Sequence, residues 1–147
     1  MSEITLRRVT ADDADLLYAL VKNCPPLDVH TPYTYWFICR YFYHCSFILE
    51  VNDVPVGYVM AVRTDSCVFL WQIGLLPSVR GKGYAQIMID RVMKCAAELG
   101  LSVQLSISAD NYASNSAFRK YCQSSRIGMY EIGEAQSEIL YELRYLS

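Results

Sequence analysis

The sequence lacks the features that mark membrane-spanning, nucleic-acid-binding and disordered proteins. Its longest apolar runs, such as residues 56–62, are far shorter than the ~20 residues of a membrane helix. Lysine and arginine form no long run and the formal net charge is -2, so the chain has no basic signature for nucleic acid or anionic lipid. Hydrophobic residues make up 53% of the chain and charged residues 19%, unlike disordered segments. We expect an autonomously folding chain that binds neither nucleic acid nor membrane.

The length and the N-terminus indicate the domain organisation and the compartment. A chain of 147 residues falls within the usual size of one domain, so we expect a single domain over residues 1–147. Residues 1–3 do not begin the basic region and apolar stretch of a signal peptide. We therefore expect a cytoplasmic protein.

The cysteines lack the spacing of a metal site or a redox motif. No C-x-x-C pair occurs, and the surroundings are mostly apolar. Such residues are typical of reduced thiols in a core, so we expect neither disulfides nor a zinc site, and no metal elsewhere. The six positions are Cys24, Cys39, Cys45, Cys67, Cys95 and Cys122.

Hydrophobic periodicity predicts an α/β chain. Apolar spacing of three and four residues indicates helices, and alternation or short apolar runs indicate strands. The predicted strands cover residues 4–8, 46–51, 55–63, 68–75, 101–107, 129–132 and 138–146. The predicted helices cover residues 10–23, 31–43, 84–100 and 113–122. The chain breaks at Pro25-Pro26 between the first two helices. This order predicts a mixed sheet, with strand 101–107 beside strand 68–75.

A glycine loop between a strand and a helix predicts an anion site. The strand ends at Leu75 and the helix opens at Gly83, where unpaired backbone N–H groups and the helix dipole favour a negative charge. Gly81 and Gly83 allow close approach of a pyrophosphate, and Arg80 and Lys82 add positive charge. A glycine turn with a purely structural role is the alternative.

The spacing in this loop favours coenzyme A over other nucleotides. Arg80-x-x-Gly83-x-Ala85 matches the acetyl-CoA signature [QR]-x-x-G-x-[GA]. The sequence contains neither G-x-x-x-x-G-K-[ST] nor G-x-G-x-x-G, which argues against ATP and NAD.

With this loop, the chain resembles the GNAT superfamily over nearly its whole length. The resemblance implies a GNAT fold, with a mixed, mostly antiparallel sheet of about six to seven strands flanked by about four helices. It also implies acetyl-CoA as cosubstrate and a homodimer. The strand before the loop splays from its neighbour in that family, and its last main-chain groups pair with the pantetheine arm. The implied cofactor contacts are Ile73, Leu75, Arg80, Gly81, Lys82, Gly83, Tyr84, Ala85, Asn111 and Ser114. The family's usual general acid, a Tyr seven residues after the Asn, is replaced by Phe118.

Three further segments resemble the L-2,4-diaminobutyrate acetyltransferases of ectoine biosynthesis. They are Leu27-Asp28-Val29-His30-Thr31-Pro32-Tyr33-Thr34-Tyr35 with Cys39-Arg40-Tyr41-Phe42, Phe69-Leu70-Trp71-Gln72-Ile73, and Asn111-Tyr112-Ala113-Ser114 with Ala117-Phe118-Arg119-Lys120. Two departures stand against them. His30-Thr31 replaces Asn-Ser, and Ala135-Gln136-Ser137 replaces a His and acids before Glu138. The resemblance implies the γ-amine of diaminobutyrate as acceptor, with a related amine as the alternative.

Two carboxylates are the candidates for handling the amine. An alkyl amine has a pKa of about 10 and must lose a proton before it attacks a thioester. We expect Asp28 to bind the ammonium group and Glu138 to bind or deprotonate it. The plain alternatives are a turn carboxylate for Asp28 and a solvated strand charge for Glu138.

Aromatic residues are the remaining acceptor-side candidates. Trp71 is expected to form an apolar or cation–π wall, with core packing as its alternative. Tyr33 is expected to contact the substrate and Tyr35 to supply a hydroxyl, although either residue could equally be an ordinary core or surface aromatic. His30 and His44 fit a structural or exposed position better than a catalytic base.

The expected function is an N-acetyltransferase that moves the acetyl group of acetyl-CoA to a primary amine of a small metabolite. An acetyltransferase for another amino acid, a polyamine or an amino sugar is a second interpretation. A non-catalytic acyl-CoA-binding module is a third, which the missing tyrosine at Phe118 permits.

Overall fold

The computed structural model describes residues 2–25 and 27–146, so Pro26 of the predicted chain break lies outside the described residues. The strands are β1 (Ile4–Arg8), β2 (Phe47–Val51), β3 (Val54–Arg63), β4 (Cys67–Leu75), β5 (Ser102–Ser108), β6 (Ile127–Ala135) and β7 (Glu138–Tyr145). The helices are α1 (Ala14–Lys22), α2 (Pro32–Tyr41), α3 (Tyr84–Glu98) and α4 (Tyr112–Ser125). This order of elements is the predicted one.

The strands form one mixed sheet in the order β1-β2-β3-β4-β5-β7-β6. Only the central pair, β4 and β5, is parallel, and the other pairs are antiparallel. The predicted neighbourhood of β4 and β5 and the expected mixed, mostly antiparallel α/β sheet are confirmed.

Two apolar cores cover the two faces of the sheet. On one face α1 and α2 bury Leu17 and Tyr35 against β3, while on the other α3 and α4 bury Met88 and Phe118 against the central strands. The helices thus form outer layers on both sides, because each presents one apolar face. Within the described part of the chain, each helix is too short or too polar to cross a bilayer.

A bulge and an early end of pairing open the centre of the sheet. In the β3–β4 register, Met60 faces Gln72 and Ala61 faces Leu70, so Trp71 is the extra residue of a bulge. The parallel pairing of β4 with β5 ends at Phe69, and β5 continues alongside β7 instead. Residues 70–75 of β4 therefore diverge from β5, as the family resemblance implied.

The expectation of six reduced cysteines is wrong for one pair. Cys45 and Cys95 are joined as a disulfide, with 5.9 Å between their Cα atoms. Cys45 precedes β2 and Cys95 lies on α3, so their proximity depends on tertiary packing that local spacing does not reveal. The remaining four cysteines are free and buried, as expected.

Candidate active site

Two cavities of about 430 Å³ each lie where β4 and β5 diverge. The helix cavity lies at the N-terminal ends of α3 and α4, and the strand cavity lies between the two strands. Both cavities are lined by the same five residues at their junction, Leu27, Ile73, Asn111, Ser114 and Phe118. A ligand that fills the helix cavity can therefore present its end to the strand cavity.

The glycine loop forms the mouth of the helix cavity. Gly81 and Gly83 have φ angles of 78° and 83°, and an added Cβ at either position would meet nothing within 4 Å. The positive φ angles explain the two glycines. Gly83 is the N-cap of α3 and has no capping side chain, so the first N–H groups of the helix are open to an anion.

Arg80 anchors the loop to the strand that precedes it. Its Nη2 atom donates to the carbonyl of Pro25 at 2.6 Å, and its Nε and Nη2 atoms donate to the carbonyl of Leu75 at 3.2 and 3.0 Å. The predicted positive charge therefore lies beside the cavity, but the guanidinium is occupied by main-chain carbonyls. One carbonyl that the resemblance implied for pantetheine, that of Leu75, is occupied in the same way.

The start of α4 supplies the polar groups at the junction. The side chain of Asn111 caps the helix by accepting from the N–H of Ser114 at 3.1 Å. Ser114 lines both cavities, and Phe118, one turn further along, is buried and closes the apolar side. The position of the family's usual tyrosine is thus an apolar wall at the junction.

The helix cavity fits the polar arm and phosphates of coenzyme A. Gln86 lines this cavity, and its Oε1 atom is buried with no hydrogen-bond partner among the described residues. A bound donor, such as an amide N–H, would satisfy this acceptor. The open glycine loop, the uncapped start of α3 and Lys120 on the rim together suit a phosphate-bearing ligand.

The strand cavity combines carboxylates, hydroxyls and aromatic rings. Asp28 and Glu138 line it together with Trp71 and His30, whose ring centroids are 4.9 Å apart. Glu138 begins β7, and its Oε1 atom accepts a hydrogen bond from the Ser106 hydroxyl of β5 at 3.0 Å. Two carboxylates beside an indole ring favour binding of a cation.

The structure brings most of the predicted acceptor-side residues together but leaves two apart from the cavity surface. Asp28, Trp71 and Glu138 share the strand cavity. Tyr33 is 70% exposed on α2, with its ring 5.4 Å from that of Trp36, and it does not line the cavity. Tyr35 is fully buried beneath the cavity, and burial raises the pKa of its hydroxyl.

The predicted cofactor residues divide in a similar way. Those that line the helix cavity are Ile73, Leu75, Arg80, Gly81, Gly83, Tyr84, Ala85, Asn111 and Ser114. Lys82 belongs to the same loop but does not line the cavity.

Several polar residues of the site were not among the residues predicted from the sequence. Gln72 and Ser106 line the strand cavity, and Gln86 and Lys120 line the helix cavity. Ser106 is one of the polar residues that alternate with apolar ones along β5, and this alternation is the sequence signal for it. The polar side of β5 faces carboxylates of β7 and not solvent. No local pattern distinguished Gln86, and Gln72 stood out only as part of the Phe69–Ile73 segment that resembles the diaminobutyrate acetyltransferases. The described residues contain no group of three or more His, Cys, Asp or Glu side chains able to hold a metal ion.

These features define an acyl-CoA-dependent transferase: a mixed sheet that opens at its centre, a glycine loop at the start of a helix, and an acidic cavity beside that loop. Residues 14–122 match the model of the acetyltransferase (GNAT) family, and the chain belongs to this family. It is an acetyl-CoA-dependent N-acetyltransferase.

Named relatives and solved structures agree with this membership. An L-2,4-diaminobutyric acid acetyltransferase from Marinococcus halophilus is 31% identical over 127 residues, which are 84% of this chain and 73% of the relative. Another from Halalkalibacterium halodurans is 30% identical over 94% of this chain and 74% of the relative. Diaminobutyrate acetyltransferase EctA from Paenibacillus lautus, in complex with L-2,4-diaminobutyric acid and coenzyme A, has a TM-score of 0.87 at 24% identity, covering 98% of this chain and 96% of the other. That last likeness supports the GNAT fold.

Proposed function

We propose that this enzyme transfers the acetyl group of acetyl-CoA to the γ-amine of L-2,4-diaminobutyrate. The observation that carries the proposal is the junction of the two cavities. Asp28 and Glu138 line a cavity that shares five lining residues with the cavity at the glycine loop. The names of the relatives at 30 and 31% identity support the same acceptor.

The helix cavity would hold acetyl-CoA, which supplies an activated acetyl thioester. Backbone N–H groups at the start of α3 would bind the pyrophosphate, with Gly81, Gly83 and Tyr84 lining the path. Ile73 would guide the pantetheine arm, and Asn111 and Ser114 would contact it at the junction. These contacts orient the thioester toward the strand cavity, which lowers the entropic cost of the reaction.

The strand cavity would bind and deprotonate the amine. Asp28 would hold an ammonium group, and the indole ring of Trp71 would form the wall of the pocket. Glu138 would accept the proton that the reacting amine loses, since its carboxylate is fixed by Ser106 and reaches the same cavity. Tyr35 is buried below these groups and would act through its neighbours.

An assay against a panel of amines tests this function. CoA release and product mass are measured with acetyl-CoA and diaminobutyrate, ornithine, lysine, spermidine and glucosamine. We expect diaminobutyrate to gain a single acetyl group on its γ-nitrogen. Acetylation of another member in preference would favour the second interpretation, and CoA binding without turnover on any amine would favour a non-catalytic module.

We also propose that the enzyme is a homodimer. The exposed aromatic side chains of α2 support a second copy as partner, since they form an apolar surface on one helix; they are Tyr33, Trp36, Phe37 and Tyr41. Light scattering during gel filtration measures the mass directly. A mass of 16.8 kDa, that of one chain, would contradict the dimer.

A further inference from the structure

The side-chain amide of Gln72 is the centre of a buried hydrogen-bond network. Its Oε1 atom accepts from the hydroxyls of Tyr58 at 3.2 Å and Tyr35 at 3.4 Å. Its Nε2 atom donates to the main-chain carbonyl of Asp28 at 2.9 Å. Gln72 is 8% exposed and both tyrosines are fully buried. The carbonyl of Asp28 can only accept, so it requires the Nε2 end of the amide to face Asp28 and leaves Oε1 to accept from the two hydroxyls.

The network binds the loop between α1 and α2 at two points. Gln72 holds the carbonyl of Asp28, and the hydroxyl of Tyr35 accepts from the N–H of His30 at 3.2 Å. The loop is therefore held on both sides of Val29. Asp28 and His30 line the strand cavity, whereas Val29 is exposed.

Close packing brings the loop to the same strand. An added Cβ at Gly74 would lie 2.7 Å from the Leu27 side chain and 2.8 Å from the Tyr58 ring. A side chain at position 74 would thus displace Leu27, which explains the glycine. The loop rests on β4 through this contact, and the Gln72 amide sets its position along the strand.

We propose that Gln72 is a positioning residue for the amine acceptor. Its amide fixes the main chain of Asp28, a residue that lines the strand cavity, and thereby restricts where the Asp28 carboxylate can lie, while Tyr58 and Tyr35 hold the amide in place. This inference rests on the proposed function, because it assumes that the strand cavity binds the amine. The buried hydroxyls of Tyr35 and Tyr58 then serve as hydrogen-bond donors to the Gln72 amide. Burial raises the pKa of both hydroxyls, so both remain protonated and able to donate.

Replacement of Gln72 by methionine tests the proposal, because it keeps the side-chain length and removes the amide. We expect the KM for the amine to rise about tenfold, while kcat and the Kd for CoA change less than about twofold. Gln104→Met is the matched control on β5, since the Gln104 amide binds Glu142 and does not line either cavity. The control is expected to leave the amine KM unchanged.

A second variant separates positioning from stability. Gln72→Met leaves buried hydroxyls without an acceptor and is expected to lower Tm, whereas Gln72→Met with Tyr58→Phe removes one of them and is expected to recover part of the loss. A positioning role predicts that the amine KM stays raised in the double variant. Recovery of KM together with Tm would overturn the proposal.

Hydrogen exchange of the unliganded protein provides a readout that needs no substrate. We expect faster exchange of the Leu27 and His30 amides, which donate to the Cys24 carbonyl and the Tyr35 hydroxyl, in Gln72→Met than in the parent protein and in Gln104→Met. Unchanged exchange would overturn the positioning role. A raised KM would then be explained by direct contact between Gln72, which lines the strand cavity, and the amine. Faster exchange in an enzyme that acetylates no diamino acid would support the loop anchor and refute the proposed function instead.

Discussion

The guanidinium of Arg80 donates two hydrogen bonds to the carbonyl of Leu75, the last residue of β4. A third hydrogen bond reaches the carbonyl of Pro25 beyond α1. The side chain thus joins three segments around the helix cavity, namely the end of β4, the glycine loop and the segment that follows α1. Its planar fork of donors suits this task, because a lysine ammonium on a flexible stem lacks that geometry.

Arg80→Lys and Arg80→Gln are therefore expected to weaken CoA binding to a similar extent. Loss of the bridge should raise the Kd by about fivefold, or about 1 kcal/mol. Lys82→Gln removes one charge from the same loop and is expected to have a smaller effect. Calorimetry with CoA measures all three variants. Normal binding by Arg80→Lys with weak binding by Arg80→Gln would show that charge matters and the bridge does not.

Gly83→Asp is expected to weaken CoA binding by about tenfold or more, because it places a carboxylate at the anion-binding start of α3. Gly100→Asp is the matched control. Gly100 also has a positive φ, of 70°, and open space around an added Cβ, but it follows the other end of α3. Both variants carry similar backbone strain, so a comparable loss of CoA affinity in the two would argue against the glycine loop as the anion site.

Glu138→Gln is expected to lower kcat/KM for the amine by about 10²–10⁴-fold, the usual contribution of a general base. The glutamine retains an acceptor for the Ser106 hydroxyl, so the fold should be unaffected. Glu142→Gln is the control on the same strand, since Glu142 accepts similar hydrogen bonds from Ser102 and Gln104 of β5 outside the cavities. Equal activity of the two variants under saturating acetyl-CoA would remove Glu138 from the proton transfer.

Asp13 makes the stability of the fold depend on pH. Burial alone would raise the pKa of Asp13, but hydrogen bonds from the Arg7 guanidinium at 2.8 and 2.9 Å and from Thr10 lower it overall. A lowered pKa stabilises the folded state above the unfolded value, and this contribution is lost as the pH falls through the folded pKa.

We accordingly expect Asp13→Asn to reduce the free energy of unfolding by about 1–3 kcal/mol at pH 7. The difference from the parent protein should shrink as the pH falls through the lowered pKa of Asp13, because the protonated carboxyl is then neutral like the amide of asparagine. Asp12→Asn, at an exposed neighbouring position, is expected to be nearly silent. Urea unfolding at several pH values measures the difference, and a constant gap between the two proteins across that range would contradict the assignment.

The sequence indicated the elements with strong periodicity or glycine boundaries more accurately than the others. Helix α3 was predicted from its apolar spacing and the glycines at both ends, and the structure confirms it. Helix α4 extends to Ser125, beyond the predicted end at residue 122, because Arg126 adopts a left-handed conformation with φ of 56° in place of the usual glycine. A non-glycine cap gives no clear sequence signal.

The glycine loop could also be predicted from the sequence, because its residues are adjacent in the chain and its chemistry depends mainly on the backbone. The hydrogen-bond network around Gln72 could not be predicted, since its hydrogen bonds join residues that are 14, 37 and 44 positions apart in the sequence. The bulge at Trp71 and the pairing of Cys45 with Cys95 likewise depend on the register and packing of distant segments. Residues of this kind are found only when the sheet brings them together.

The ratio of kcat/KM values for diaminobutyrate and ornithine at saturating acetyl-CoA tests the central claim most directly. The two amines differ by one methylene, and a fitted pocket discriminates such a difference by about 1–3 kcal/mol, or ~10–200-fold. We predict that diaminobutyrate is preferred within that range and that product analysis finds the acetyl group on its γ-nitrogen. A ratio at or below one would contradict the proposed acceptor while leaving membership of the acetyltransferase family intact.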